Sequence, residues 1–344
     1  MVKVKTSKLV LDGYGSYLGV QKGCFVVKTK TGETTDYPLF EREVSEVVLK
    51  SGNMVSTGAL ATMGFWGIDC LVLTRKGRPV AMLKSLDDDS HVQTRLAQYE
   101  AYSNGKALKI ARQFVLARIE GQNKILEKYD LEVHSPELMQ AVENTELKDM
   151  TSFRQRLTGI EGKCSQDYFQ QIFTLLPAKL RPKRRKKFQA YDGVNNLFNL
   201  AYEMLSWKVY RALIKAKLEP FLGFLHALKH ERPSLTCDFV ELYRFLVEDF
   251  LVQKCQELNK KDFTFKTEIV RGKKMGKRQY LNNAKTKEFM KRLDLYFGKK
   301  IEIPRIYLGR QQTFETLINE EALQFARYLR GALESWTPRI PTPD

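Results

Sequence analysis

From residue 8 to about residue 84 the apolar positions fall in short runs: Lys8-Leu-Val-Leu-Asp, Cys24-Phe-Val-Val-Lys-Thr, Glu46-Val-Val-Leu-Lys, Asp69-Cys-Leu-Val-Leu-Thr and Pro79-Val-Ala-Met-Leu-Lys. Turn formers separate them at Gln21-Lys-Gly, Lys30-Thr-Gly and Arg75-Lys-Gly-Arg-Pro. Short runs rich in β-branched residues between such breaks predict antiparallel strands, interrupted by one helix over residues 56–64. The acidic Ser85-Leu-Asp-Asp-Asp-Ser90 carries charge and turn formers where both flanks are patterned, which predicts a linker over 85–94. Beyond it the apolar period lengthens to about 3.6, through Leu96, Tyr99, Ala107, Ile110, Phe114, Leu116 and Ile119, and predicts long helices as far as about residue 257. A basic insertion at 264–279 reads as a hairpin, helical pattern returns over 286–297 and 313–333, and the Pro-rich end at 337–344 reads as frayed. The expected fold is therefore α+β: a small β-rich N-terminal domain over 1–84, then a larger all-α domain over 95–336.

Composition narrows the function. The chain has 344 residues, 43% of them hydrophobic, enough for the cores of two or three domains. No window approaches the ~20 apolar residues of a membrane span, and the first residues lack a signal-peptide core, so the expectation is a soluble cytoplasmic protein with no membrane partner. Its five cysteines are scattered and never form a CxxC pair, which argues against a disulfide framework and a structural zinc site. With 57 Lys+Arg against 40 Asp+Glu the net charge is +17, which points to a polyanion, and nucleic acid before membrane.

Several segments are candidates for chemistry. Gly13-Tyr-Gly-Ser-Tyr-Leu-Gly19 has the glycines of a dinucleotide loop at the wrong spacing and before a strand, so it reads as a turn. His226 and His230 stand at i, i+4, on one face if the segment is helical, but without the adjacent Glu of a zinc protease. One packing and the other solvated is the simpler reading. Asp238 and Glu241 share a face at a helix start. They are either paired carboxylates for a hard divalent metal near an imidazole or a capping box, with Ser234 as a competing cap. Glu161 lies between Gly159-Ile and Gly162, a poor helix interior that permits close approach by a helix or a ligand; a surface Glu at a helix start is the alternative. Lys183-Arg184-Arg185-Lys186-Lys187 is a run of like charges suited to neutralising phosphates, or a solvated loop.

Taken in order, Gly159-Ile-Glu-Gly with Tyr168-Phe, Asp192-Gly-Val-Asn195-Asn-Leu-Phe-Asn-Leu-Ala-Tyr202, Gly223-Phe-Leu-His226, and Ser234-Leu-Thr-Cys-Asp238-Phe-Val-Glu241-Leu-Tyr-Arg244 with Asp249 behind resemble one family across nearly the whole chain. That family is the CRISPR-associated integrase, a metal-dependent DNA endonuclease and strand-transfer enzyme that captures new spacers. The resemblance implies a β-rich domain before a helical catalytic one, with Glu161, His226 and Glu241 as ligands of Mg²⁺ or Mn²⁺ and Asp238 as an essential acid. It places Asn195 and Arg244 with Lys183 to Lys187 as contacts to duplex, branched or fragment-end DNA. It also implies a homodimer through the β-rich domain and a small CRISPR-associated partner protein bridging two dimers. Two positions depart from the pattern: Gly193 stands where a proline is usual, and Phe245 follows Arg244 where a proline is common. The alternatives are a repair nuclease for branched DNA using the same ligands, and a non-catalytic architectural DNA-binding protein. Glu161 separates the second from the rest, because a helix cap has no need of it.

Overall fold

A computed structural model describes residues 7–39, 44–75, 77, 79–83, 90–145, 149–230, 232–270, 273–302 and 311–343. The chain divides into two compact units, 1–91 and 92–344.

In the first unit the strands are β1 (Ser7–Leu11), β2 (Tyr17–Gln21), β3 (Cys24–Lys28), β4 (Thr34–Pro38), β5 (Val44–Lys50), β6 (Met54–Val55), β7 (Asp69–Leu73) and β8 (Pro79–Leu83), with helix α1 (Thr57–Phe65) before β7. They form two sheets, ordered β1-β5-β7-β8 and β4-β3-β2-β6. The hairpins β2–β3, β3–β4 and β7–β8 are antiparallel as their tight turns require, but β5 pairs in parallel with both β1 and β7. This corrects the all-antiparallel expectation. A parallel neighbour needs a long crossover, and here β2 to β4 and then α1 supply it. Ser56 caps α1 by accepting from the Ala59 amide at 3.0 Å. Leu18, Phe25, Val47 and Cys70 of the sheets bury against Ala59 and Met63 of α1. The glycine-rich stretch after β1 is the turn it resembles.

The second unit contains α2 (Ser90–Glu100), α3 (Lys106–Lys128), α4 (Pro136–Glu143), α5 (Met150–Ile172), α6 (Gly193–Lys215), α7 (Ser234–Glu241), α8 (Arg244–Cys255), β9 (Phe263–Val270), β10 (Lys273–Leu281), α9 (Asn283–Phe297), β11 (Lys300–Glu302), β12 (Gln311–Thr313) and α10 (Phe314–Leu329). It is helical, with β9–β10 as the antiparallel hairpin read from the basic insertion and β11–β12 as a second small ribbon. Helix α2 begins inside the stretch read as linker. Helix α3 runs through the centre with Ile110, Phe114, Ile119, Ile125 and Leu126 fully enclosed, and packs on α5, α7 and α8. No helix among the described residues is long and apolar enough to cross a membrane.

Two expectations fail here. Residues 216–230, 232 and 233 are not helical, so His226 and His230 do not share a helical face. Pro220, Gly223 and Pro233 interrupt the pattern, and a Cβ on Gly223 would lie 2.5 Å from the backbone carbon of Ser234. Nor are residues 337–343 frayed. Trp336 and Ile340 are buried in the core, and the Trp336 indole donates to Glu321 Oε1 at 2.7 Å while Arg339 Nε donates to Oε2 at 2.8 Å. Proline-rich composition suggested fraying, but Glu321 is buried on α10 and needs donors, which the tail provides.

Both departures from the family pattern have a packing reason. Asp192 caps α6 by accepting from the Asn195 amide at 2.7 Å, and at the next position Gly193 N donates to Gln279 Oε1 of the hairpin at 3.1 Å. A proline there would lose that donor, and a Cβ at Gly193 would meet the Phe263 ring at 2.2 Å. Phe245 fills the space beside Gly121 of α3, where a Cβ would come within 2.5 Å of its ring.

Candidate active site

The histidine of the site stands on a loop rather than a helix. Residues 219–226 are held from several directions: Gln98 Nε2 donates to the Glu219 and Leu222 carbonyls at 3.0 and 2.8 Å, the Tyr102 hydroxyl to the Gly223 carbonyl, and Arg154 Nε to the Phe224 carbonyl at 2.7 Å. The strongest clamp is Asp238. Its carboxylate is fully buried and accepts from the amides of Phe224 at 2.6 Å, Leu225 at 3.0 Å and His226 at 2.8 Å. The same Oδ1 stands 2.7 Å from His226 Nδ1. Helix α7 starts at Ser234, four residues before Asp238, so the capping-box reading of Asp238 and Glu241 is overturned. A carboxylate on one imidazole nitrogen orients the ring and leaves Nε2 for a ligand, as in metal-binding histidines.

One turn beyond Asp238, Glu241 lines the same cavity as His226, together with Lys187, Tyr202 and Arg244. Arg244 Nη1 lies 2.7 and 2.8 Å from its two carboxylate oxygens, and Arg118 Nε lies 3.6 Å away. Below them is a closed layer. Arg118, fully buried on α3, donates through Nη1 and Nη2 to the two oxygens of Glu248 at 3.1 and 2.8 Å, and the Tyr202 hydroxyl donates to Glu248 Oε1 at 2.6 Å. Two acids and two arginines thus balance. Burial alone would raise both acids, but the guanidiniums of Arg244 and Arg118 outweigh it and hold Glu241 below the usual carboxylate range, and Arg118 with Arg244 does the same for Glu248. Burial likewise opposes the Arg118 charge, and Glu248 more than restores it.

Glu161 sits in the middle of α5, half-buried, not at a helix start. Its Oε1 accepts from Ser165 Oγ at 2.6 Å, and Ser165 Oγ in turn accepts from Gln122 Nε2 at 3.0 Å. Among the described residues no helix packs on its glycines, since a Cβ at Gly159 or Gly162 would meet none of them within 4 Å. Glu161 lines a second cavity with Lys183, Arg184, Arg185 and Arg244. Arg244 thus borders both the Glu161 cavity and the His226–Glu241 cavity. Among the described residues no three His, Cys, Asp or Glu side chains meet as a ready cation site. Glu161 lines one cavity and His226 with Glu241 the other, and the two oxygens of Glu241 are engaged by Arg244.

The basic run does not behave as one unit. Lys183 and Arg184 are exposed beside Glu161, and Lys187 borders the His226 cavity, where burial pushes its ammonium below the ordinary lysine range. Arg185 turns inward. Its guanidinium lies over Tyr202 at 5.2 Å and Phe198 at 5.6 Å, and its two Nη atoms donate to Asn195 and Asn199 at 3.0 and 2.6 Å. Asn195 is fully buried. Its Oδ1 also accepts from the Lys186 amide at 2.8 Å and its Nδ2 donates to the Arg184 carbonyl at 3.0 Å, so it ties the basic loop to the start of α6. Sequence reasoning missed Arg118, Glu248, Tyr202 and Ser165. A lone Arg inside an apolar helical stripe, at Arg118, was the available signal, because a charge there needs a buried acid.

A β-rich unit followed by a helical unit that gathers a clamped imidazole and carboxylates beneath a basic loop defines a phosphodiester-handling class of protein. Residues 9–286 match the family model described as CRISPR associated protein Cas1, and the chain belongs to that family. Among its relatives, the CRISPR-associated endonuclease Cas1 of Korarchaeum cryptofilum is 27% identical, covering 97% of each chain. One from Francisella tularensis subsp. novicida is 26% identical, over 94% of this chain and 96% of the relative. In fold the chain is similar to a casposase bound to integration product, with a TM-score of 0.70 at 18% identity over 98% of this chain and 95% of the other. It is also similar to a Cas1 protein from Thermotoga maritima, with a TM-score of 0.68 at 20% identity over 96% and 98%.

Proposed function

We propose that this chain inserts new spacer DNA into a CRISPR array by attack of a 3′-hydroxyl on a phosphodiester, using Glu161, His226 and Glu241 as ligands of Mg²⁺ or Mn²⁺. The observation that carries the reading is His226, held by Asp238 at 2.7 Å, in the cavity that Glu241 also lines. Hard carboxylate oxygens with one imidazole suit either cation. A bound divalent ion would activate the attacking hydroxyl and neutralise charge growing on the phosphate. The chain's own residues do the positioning. Asp238 fixes the imidazole and the loop that carries it, Glu161 enters from α5, and Lys183, Arg184 and Lys187 draw the DNA backbone across the two cavities. Backbone contacts orient the DNA without reading its sequence.

The relatives named endonucleases and the fold neighbour named for an integration product both support DNA as the substrate. A solved assembly named a Cas6-RT-Cas1–Cas2 complex, whose matching part has a TM-score of 0.63 over 98% of this chain at 20% identity, supports a small CRISPR-associated partner. The rest of the reading is a cytoplasmic homodimer formed through the β-rich unit, with the partner bridging two dimers.

Strand transfer exchanges one phosphodiester for another, so the reaction is reversible on its branched product. Purified protein with Mn²⁺ should resolve labelled branched DNA into a new, longer strand on a denaturing gel, and chelator should stop it. A label that only shortens would replace strand transfer with hydrolysis, the repair-nuclease reading.

A further inference from the structure

Arg244 is placed oddly for a simple ion pair. A guanidinium that pairs with a carboxylate in the usual fork spends two nitrogens on two oxygens. Here a single nitrogen, Nη1, straddles both oxygens of Glu241 at 2.7 and 2.8 Å, the seat of a chelated cation. The rest of the group is barely used: among the described residues neither Nε, which lies 3.8 Å from Glu248 Oε1, nor Nη2 makes a hydrogen bond. The guanidinium rests 4.4 Å from the centre of the Tyr202 ring, a surface on which it can slide without losing its support. Neither acid depends on it alone. Glu248 keeps two bonds from Arg118 and one from Tyr202, and Glu241 keeps Arg118 at 3.6 Å. Arg244 also faces the second cavity, between Glu161 and the exposed Lys183 and Arg184.

We infer that Arg244 is a place-holding cation on Glu241, which must give up that carboxylate for a divalent metal to bind and which a DNA phosphate in the Glu161 cavity draws away. The inference rests on the metal-site reading above and adds a coupling to it. Without DNA, Arg244 competes with the metal for Glu241. With DNA, its unspent donors find a phosphate, so metal and DNA bind cooperatively and each raises the affinity for the other by the same factor. Arg244 is here a positioning residue, and its proposed effect is on loading.

The test is Mn²⁺ titration of the full chain, followed by calorimetry and by the electron paramagnetic resonance of free Mn²⁺, with and without a DNA duplex ending in 3′-deoxynucleotides that cannot react. Arg244→Gln should bind Mn²⁺ about tenfold more tightly than wild type without DNA, a coupling of ordinary size. DNA should tighten Mn²⁺ binding by wild type about tenfold more than by the variant. Arg244→Lys, a shorter point charge, should fall between and serves as the test if the Gln variant unfolds on heating well below wild type. Mn²⁺ affinity without DNA that is unchanged or weaker in the folded variants overturns the inference. His226→Ala separates the two readings. If it removes Mn²⁺ binding while Arg244→Gln does not tighten it, only the place-holder falls; if it leaves Mn²⁺ binding intact, the metal-site reading falls and takes the inference with it.

Discussion

Glu241 and Glu248 stand seven residues apart, are both buried, and are both held in the charged form by the same two arginines. Their surroundings nevertheless separate them. Glu248 is sealed: it is fully buried and accepts three hydrogen bonds from Arg118 and Tyr202. Glu241 borders a cavity and is held by one nitrogen of a half-used arginine. Buried charge that is fully paired makes a rigid floor, whereas the same chemistry with an open side leaves a carboxylate that can change partner. The floor ties α3, α6 and α8 together, and the rim holds the carboxylate proposed to bind the metal.

The sharpest way to break this comparison is at the rim. Glu161→Ala, His226→Ala and Glu241→Ala should each lower strand transfer by about three orders of magnitude or more while leaving the melting temperature near that of wild type. Full activity in Glu161→Ala would remove that residue from the ligand set. At the floor the opposite pattern is expected. Arg118→Ala strands Glu248 and should cost about 3–5 kcal/mol in urea unfolding of the helical unit, with activity lost through unfolding. Replacing Arg118 and Glu248 together by Met and Leu should recover much of that stability, because no charge is then left without a partner.

The basic loop gives a smaller test of the same contrast. Lys183→Ala with Arg184→Ala should weaken binding to duplex DNA of any sequence and reduce the slope of log affinity against log salt by about 0.9 for each phosphate that is no longer neutralised. Arg185→Ala should destabilise the fold and leave that slope nearly unchanged, since its guanidinium is spent on Asn195, Asn199 and aromatic rings. An equal change of slope for Arg185 would show that it reaches DNA after all. The smallest effect is in acid. The depressed Glu248 contributes stability that is fully present above the ordinary glutamate value of about 4.3 and is lost as pH falls through its lower folded value. The stability difference between wild type and Glu248→Gln should therefore hold from pH 7 to about 4.5 and shrink below that.

Much of this was legible along the chain. A change of hydrophobic period from two to about 3.6 marks the boundary between a β-rich and a helical region, because side-chain direction follows backbone geometry alone. The order and spacing of the motifs around Glu161, Asn195, His226 and Asp238 to Arg244 pointed through the family resemblance to the proposed site, and of these the structure brings His226, Asp238, Glu241 and Arg244 together while Glu161 lines a neighbouring cavity. What lay outside one-dimensional pattern was partnership. Whether Asp238 caps its own helix or clamps residues 224–226, and whether Arg185 meets solvent or Tyr202, depends on which elements arrive beside them. The parallel pairing of β5, the non-helical histidine loop and the buried tail were decided the same way. Local propensity states what a segment prefers in isolation; a buried carboxylate such as Asp238 or Glu321 must be satisfied, and the donors that satisfy it come from segments distant in sequence, so only tertiary packing selects among the local choices.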